Sequence, residues 1–272
     1  MTTTVSALET MTIPGQDDLR QPRVFGNSFT MAWRALLKAR HEPELVADAI
    51  GIPVLFTLLF TYLFGGALSG SPHEYLRFLL PGTLVMTILL ITVSAGLSLN
   101  NDRNQGALDR FRSMPVWQPA LIIGSLIGDL VRYLVAAALV LGLGLLMGYR
   151  PAGGIDGILL AVALILVFGF SVSWIWTSLG LVLRSAQAVS ILSFTVQVPL
   201  SFASNVFVNP ATLPGWLHAF VNVNPVSHLV TAERALMNGT AAVGQVGWVL
   251  LASAGLIAVF GPLTMMLYRG RQ

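Results

Sequence analysis

The chain has 272 residues, of which 55% are hydrophobic and only 10% charged, with a net charge of +3 and no cysteine. A soluble domain carries roughly a quarter charged residues, so a soluble globular fold is excluded, and the missing cysteines exclude disulfides and thiolate metal sites. The basic balance is spread along membrane-flanking segments and does not point to nucleic acid.

Residues 1–22 are Thr-rich, hold Pro14, Gly15, Asp17 and Asp18, and lack periodicity, as expected of a mobile cytosolic tail. No apolar stretch follows a charged start, so a cleavable signal peptide is not expected. Over 23–45, Phe29, Trp33, Leu36 and Leu37 share one helical face and Arg34, Lys38 and His41 the other. This pattern suits an interfacial helix lying among lipid headgroups, with a soluble helix packed on the protein as the alternative.

Long uncharged runs follow, each near the roughly 20 residues that cross a hydrocarbon core as a helix. Spans are expected at about 46–66, 78–99, 119–147, 156–183, 187–208 and 246–267. The alternating polarity of a transmembrane β-barrel is absent. Between the fifth and last spans, residues 209–240 hold several prolines and only short amphipathic pieces, expected as re-entrant or interfacial helices. The predicted fold is an all-α membrane protein. It has six transmembrane helices over 46–268, an interfacial helix before them, a cytosolic helix after span two and short outer helices before span six.

Basic residues set the orientation. Arg20, Arg23, Arg34, Lys38, Arg40, Arg103, Arg110, Arg112, Arg184, Arg269 and Arg271 fall on one side, while Arg150 and Arg234 fall on the other. Arg77 sits at a boundary and Arg132 within a span. The bias puts both termini in the cytoplasm.

A phosphate-binding P-loop needs a Gly-Lys-Ser/Thr ending, but the single lysine, Lys38, follows Leu37. The chain is therefore expected to be no ATPase, and to need a partner for ATP-driven work. The loop after span two runs from Asn100 to Trp117; Leu108 and Phe111 share a helical face, with Asp109, Arg110 and Arg112 elsewhere and Pro115 ending the helix. Taken alone, such a helix is better read as a lid on its own bundle. Asp129 and Arg132, three apart in span three, form a pair that either marks a functional position or snorkels toward the cytoplasm. Ser193, Thr195, Gln197, Ser201, Ser204 and Asn205 give span five a polar side, suited to helix packing, a dimer interface or a translocation path. Phe168, Phe170, Trp174 and Trp176 in span four are candidates for substrate or lipid contact. His218, His228 and Glu233 could be drawn as a metal site, but their spacing is not that of helical ligands.

The run Gly106, then Leu108-Asp109-Arg110-Phe111-Arg112-Ser113-Met114-Pro115, resembles the signature loop of type-2 ABC transporter permeases, especially the daunorubicin-resistance-type drug exporters. A second run is similar to that family's outer region: Phe202 through Asn209-Pro210, Leu213-Pro214-Gly215-Trp216, then Asn224-Pro225 and Glu233-Arg234. The resemblance implies that 106–115 is a coupling helix docking on a separate cytosolic ATPase, which would bind ATP and magnesium; this chain would hold no cofactor. It implies a second permease copy, identical or similar, and export of an amphipathic drug or antibiotic. A lipid or lipid-linked glycan is the alternative cargo. An ion-coupled carrier and an intramembrane metalloenzyme are the remaining alternatives. The family pattern often has acids two and four positions before the glycine; here those positions are Asn104 and Asp102.

Overall fold

A computed structural model describes residues 51, 53–106, 119–207, 214–240 and 243–269. The expected interfacial helix, with Phe29, Trp33, Arg34, Leu37 and Lys38, lies outside them. So do Leu108, Asp109, Arg110, Phe111, Arg112 and Pro115 of the signature loop, and Asn209 and Pro210.

Every regular element among the described residues is helical. Helix α1 is Pro53–Ala67, apolar, with a π-helical stretch at Phe60–Phe64. It is followed by α2 (Pro72–Asn104), α3 (Pro119–Leu146), α4 (Gly154–Val182), α5 (Ala186–Phe202), α6 (Gly215–Val223), α7 (Pro225–Met237) and α8 (Val243–Arg269). Four of these, α2, α3, α4 and α8, are long and apolar enough to cross a membrane; α1 and α5 are shorter apolar helices. Helices α6 and α7 have 9 and 13 residues, too short to span.

The span boundaries differ from expectation at α2. The polar stretch before it belongs to the helix: Ser71 is the N-cap, its Oγ accepting the Glu74 amide, and Pro72 occupies the first helical position. At the other end the helix continues through Asn100–Asn104 and stops at Gly106, whose φ of +70° is a left-handed value that glycine takes without a Cβ clash. Its 33 residues run about 50 Å at 1.5 Å per residue, longer than the hydrocarbon layer. Helix α5 is correspondingly short, ending at Phe202 rather than near 208.

Helix α2 is the centre of the bundle, packed most extensively on α4 and then on α3, α5 and α7. Its most apolar window is 83% buried, against 17% for α8, which lies at the periphery on α4. The α2–α4 crossing is close because glycines face it. A Cβ on Gly96 would strike the Trp176 carbonyl, and one on Gly180 the Gly96 carbonyl. Small residues let helix backbones approach in this way where no hydrophobic effect drives association. Phe168, Trp174 and Trp176 are all buried, and the Trp176 indole donates to Thr92 Oγ1 at 2.9 Å. These aromatics are core, not surface available to lipid.

Candidate functional site

Two junctions hold the ends of α4 and α5, and both are built by side chains that donate to helix carbonyls. At the first, the last turn of α4 leaves carbonyls without intrahelical partners. Asn100, fully buried on α2, donates its amide to the carbonyls of Gly180 (2.9 Å) and Leu183 (2.8 Å). Arg103 Nη1 donates to Leu181 at 2.7 Å and Leu183 at 3.1 Å, placing a cation at the negative end of the α4 dipole. Asn104 donates to Asn100 Oδ1 and to the Arg184 carbonyl. The next residue, Ser185, caps α5 by accepting the Ala188 amide. The stretch of α2 immediately before Gly106 is thus fastened to the α4–α5 corner.

This accounts for Asn104, where the family pattern often has an acid. Its amide donates to two oxygen acceptors, which a carboxylate cannot do.

At the second junction the donors come from α7. Asn224 caps α7 through its Oδ1, which accepts the Val226 amide, and its Nδ2 donates to the Leu200 and Ala203 carbonyls at the end of α5. Arg234 sits within α7. It donates from Nε to the Phe78 carbonyl (2.9 Å) and from Nη2 to those of Asn205 (2.7 Å) and Val206 (3.1 Å). Its guanidinium lies 3.7 Å from the Phe78 ring centroid, a cation–π contact. Pro225 stands at the first position of α7. Tyr75 completes the junction by donating to the Phe207 carbonyl.

Between the junctions, α5 buries Val189, Ser193, Gln197 and Ser201, four apart, on one face. The Ser193 and Ser201 hydroxyls and both amide atoms of Gln197 have no hydrogen-bond partner among the described residues. Of the expected polar side, Ser193, Gln197 and Ser201 turn inward, whereas Thr195 is exposed with Ile191, Phe194, Val196 and Val198, and Ser204 and Asn205 lie past the end of α5. In α3, Asp129 and Arg132 form the expected ion pair at 3.0 Å, with side chains 8% and 13% exposed. On the α4–α7–α8 side lies an apolar groove of about 630 Å³ lined by Leu160, Leu164, Leu236, Val246 and Leu250, among others.

His218, His228 and Glu233 are not assembled as a ligand set. His218 is exposed, His228 stacks on Trp248 with centroids 4.2 Å apart, and Glu233 is sealed inside. Among the described residues no three His, Asp or Glu side chains gather as a metal would need.

The sequence does not by itself identify Asn100, Arg103, Asn104, Asn224 and Arg234 as helix-end donors; it places Arg103 and Arg234 only by their charge. The available signal was an Asn or Arg within a turn of a span end, where orphan carbonyls need donors.

Residues 27–238 match the model of the ABC-2 type transporter membrane family. The chain is 49% identical over 271 residues to the daunorubicin resistance ABC transporter permease protein DrrB1 of Streptomyces coeruleorubidus, covering 99% of this chain and 95% of that one. It is 25% identical over 228 residues to the probable doxorubicin resistance ABC transporter permease protein DrrC of Mycobacterium tuberculosis, covering 83% and 82%. Against the putative transport permease ycf38 of Porphyra purpurea the identity is 26% over 211 residues, covering 76% and 72%.

Proposed function

Since the chain belongs to the ABC-2 type transporter family, we propose that it is the transmembrane permease subunit of an ATP-driven exporter of an amphipathic drug or antibiotic. The observation that carries this reading is the 49% identity, over nearly the whole chain, to a daunorubicin resistance permease. In this reading α1, α2, α3, α4, α5 and α8 are the six crossings, α6 and α7 dip in from outside, and both termini are cytoplasmic. The exposed apolar face of α5 would meet a second permease copy, identical or similar.

ATP would be hydrolysed by a separate cytosolic subunit docked on the 106–115 segment. ATP favours one state of that partner, and only a difference in binding between two states can shift the permease. The first junction, inner in this topology, supplies the transmission. Asn100, Arg103 and Asn104 tie the end of α2 to the α4 carbonyls, so a push at 106–115 would move α2, α4 and the start of α5 together. The Asp129–Arg132 pair lets α3 keep two charges in an apolar setting at reduced cost. The alternative cargo, a lipid or lipid-linked glycan, is favoured by the aliphatic lining of the α4–α7–α8 groove.

The test uses inside-out vesicles holding the permease and its ATPase, with daunorubicin as the probe. ATP-dependent uptake is expected. Joint reversal by Asp109→Arg and Arg110→Glu should abolish uptake and permease-stimulated hydrolysis while membrane insertion is retained. Uptake that survives the reversal would remove the coupling role, and uptake of a fluorescent phospholipid in place of daunorubicin would change the cargo.

A further inference from the structure

Glu233 lies in the middle of α7 and is fully buried. Neither carboxyl oxygen has a hydrogen-bond partner among the described residues. The adjacent Arg234 does not pair with it, because that guanidinium is turned to the Phe78, Asn205 and Val206 carbonyls. Tyr149, in the turn between α3 and α4, is 1% exposed, and its hydroxyl is likewise without a partner. Glu233 and Arg77 both act electrostatically on Tyr149, in opposite directions.

An ionised carboxylate sealed from water with no cation or donor is costly enough that the group keeps its proton instead. Burial accordingly pushes the Glu233 carboxyl well above the usual carboxylate range. The other ionisable groups on the elements packed against α7 stand elsewhere. His73, Glu74 and Arg77 at the outer end of α2 are exposed, as are Arg150, Asp156 on α4 and His218 on α6. Tyr75 is engaged with the Phe207 carbonyl, His228 on α7 itself stacks on Trp248, and the ionisable residues of α8, Tyr268 and Arg269, are at its far end.

The element that buries Glu233 is short. Helix α7 is bounded by Asn224 and by Gly239, whose φ of +69° is left-handed. It is seated on α4 by glycines: a Cβ on Gly153 or Gly157 would strike the Leu236 carbonyl. Displacing α7 from this seat would admit water to Glu233.

We propose that Glu233 is a proton-binding site that latches α7: it is protonated while α7 is seated and gives its proton to outside water when α7 lifts. The sign follows from linkage. A proton held more tightly in the seated state stabilises that state fully at low pH. The advantage falls as pH rises above the exposed-carboxylate value of about 4.3 toward the raised seated value, by up to tenfold per pH unit. High external pH therefore favours lifting. The outer-face position of α7 rests on the topology proposed above.

The chain has no cysteine, so single thiols report cleanly. Met237→Cys is fully buried at the end of α7, and Asn238→Cys beside it is exposed and serves as the reference for the intrinsic pH dependence of the thiol. Each full-length variant, assembled with its ATPase in right-side-out vesicles, is labelled with maleimide between pH 5.5 and 9.5. The labelling rate of Met237→Cys relative to Asn238→Cys should rise at least tenfold across this range with Glu233 present, and should be flat in Glu233→Gln. Glu233→Met serves the same comparison if the glutamine variant fails to insert. A flat ratio with Glu233 present, or a rise that persists without it, overturns the latch. Impermeant and permeant maleimides separate the two ideas. If Asn238→Cys reacts only with the permeant reagent, the outer-face topology fails, while the pH response of Met237→Cys still decides the latch.

Discussion

The two junctions, inner and outer in the proposed topology, solve one problem with the same chemistry and differ in what surrounds it. Each supplies amide and guanidinium donors to the carbonyls left over where a helix ends in an apolar medium. At the inner end the donors come from α2, Arg103 and Asn104 remain partly in contact with water, and the segment that follows is the one proposed to meet a partner. At the outer end the donors come from α7, a short separate helix, and a carboxyl without a partner is sealed beside them. The inner arrangement joins three helix ends so that they move together. The outer one holds a small element in place by bonds that can be given up as a unit.

Breaking the outer junction should have the larger effect on stability. Arg234→Met leaves the Phe78, Asn205 and Val206 carbonyls without their donor, a loss expected to cost about 3–5 kcal/mol. It should appear as a lowered thermal midpoint in the purified protein. Asn100→Leu, at the buried heart of the inner junction, removes two donated bonds and should cost about 2–3 kcal/mol in the same measurement. Arg103→Met should cost less, about 1–2 kcal/mol, since water can reach the carbonyls it releases. Its larger consequence is functional: ATP hydrolysis should continue while transport per ATP falls severalfold. Ser185→Ala removes only the cap of α5, worth about 1 kcal/mol, and should leave that ratio unchanged. Equal losses of stability and coupling in all four variants would erase the distinction between the two ends.

Hydropathy located α3, α4 and α8 to within a few residues, because uncharged runs of this length have few folded alternatives in a membrane. It misplaced both ends of α2. Ser71-Pro72 carried a helix-start signal, but the polar His73 and Glu74 beside it counted as loop. Asn100, Arg103 and Asn104 counted as loop for the same reason, although their polarity serves α4 rather than water. The inward turn of the Ser193–Gln197–Ser201 face was legible from its four-residue spacing. The role of Arg234 was not, since its acceptors lie 28, 29 and 156 residues away, beyond any local pattern. The motif that gave the family away, Asp109 through Pro115, lies outside the described residues, so its role rests on sequence resemblance.

The central claim, that 106–115 receives the push of a separate ATPase, is open to one direct measurement. A photoreactive crosslinker on Phe111→Cys in the otherwise cysteine-free chain, in vesicles containing the ATPase subunit, reports what that segment touches. The account predicts a crosslink to the ATPase whose yield changes when ATP is bound. A transporter that still moves its substrate, yet yields crosslinks only within the permease or to lipid, would contradict it.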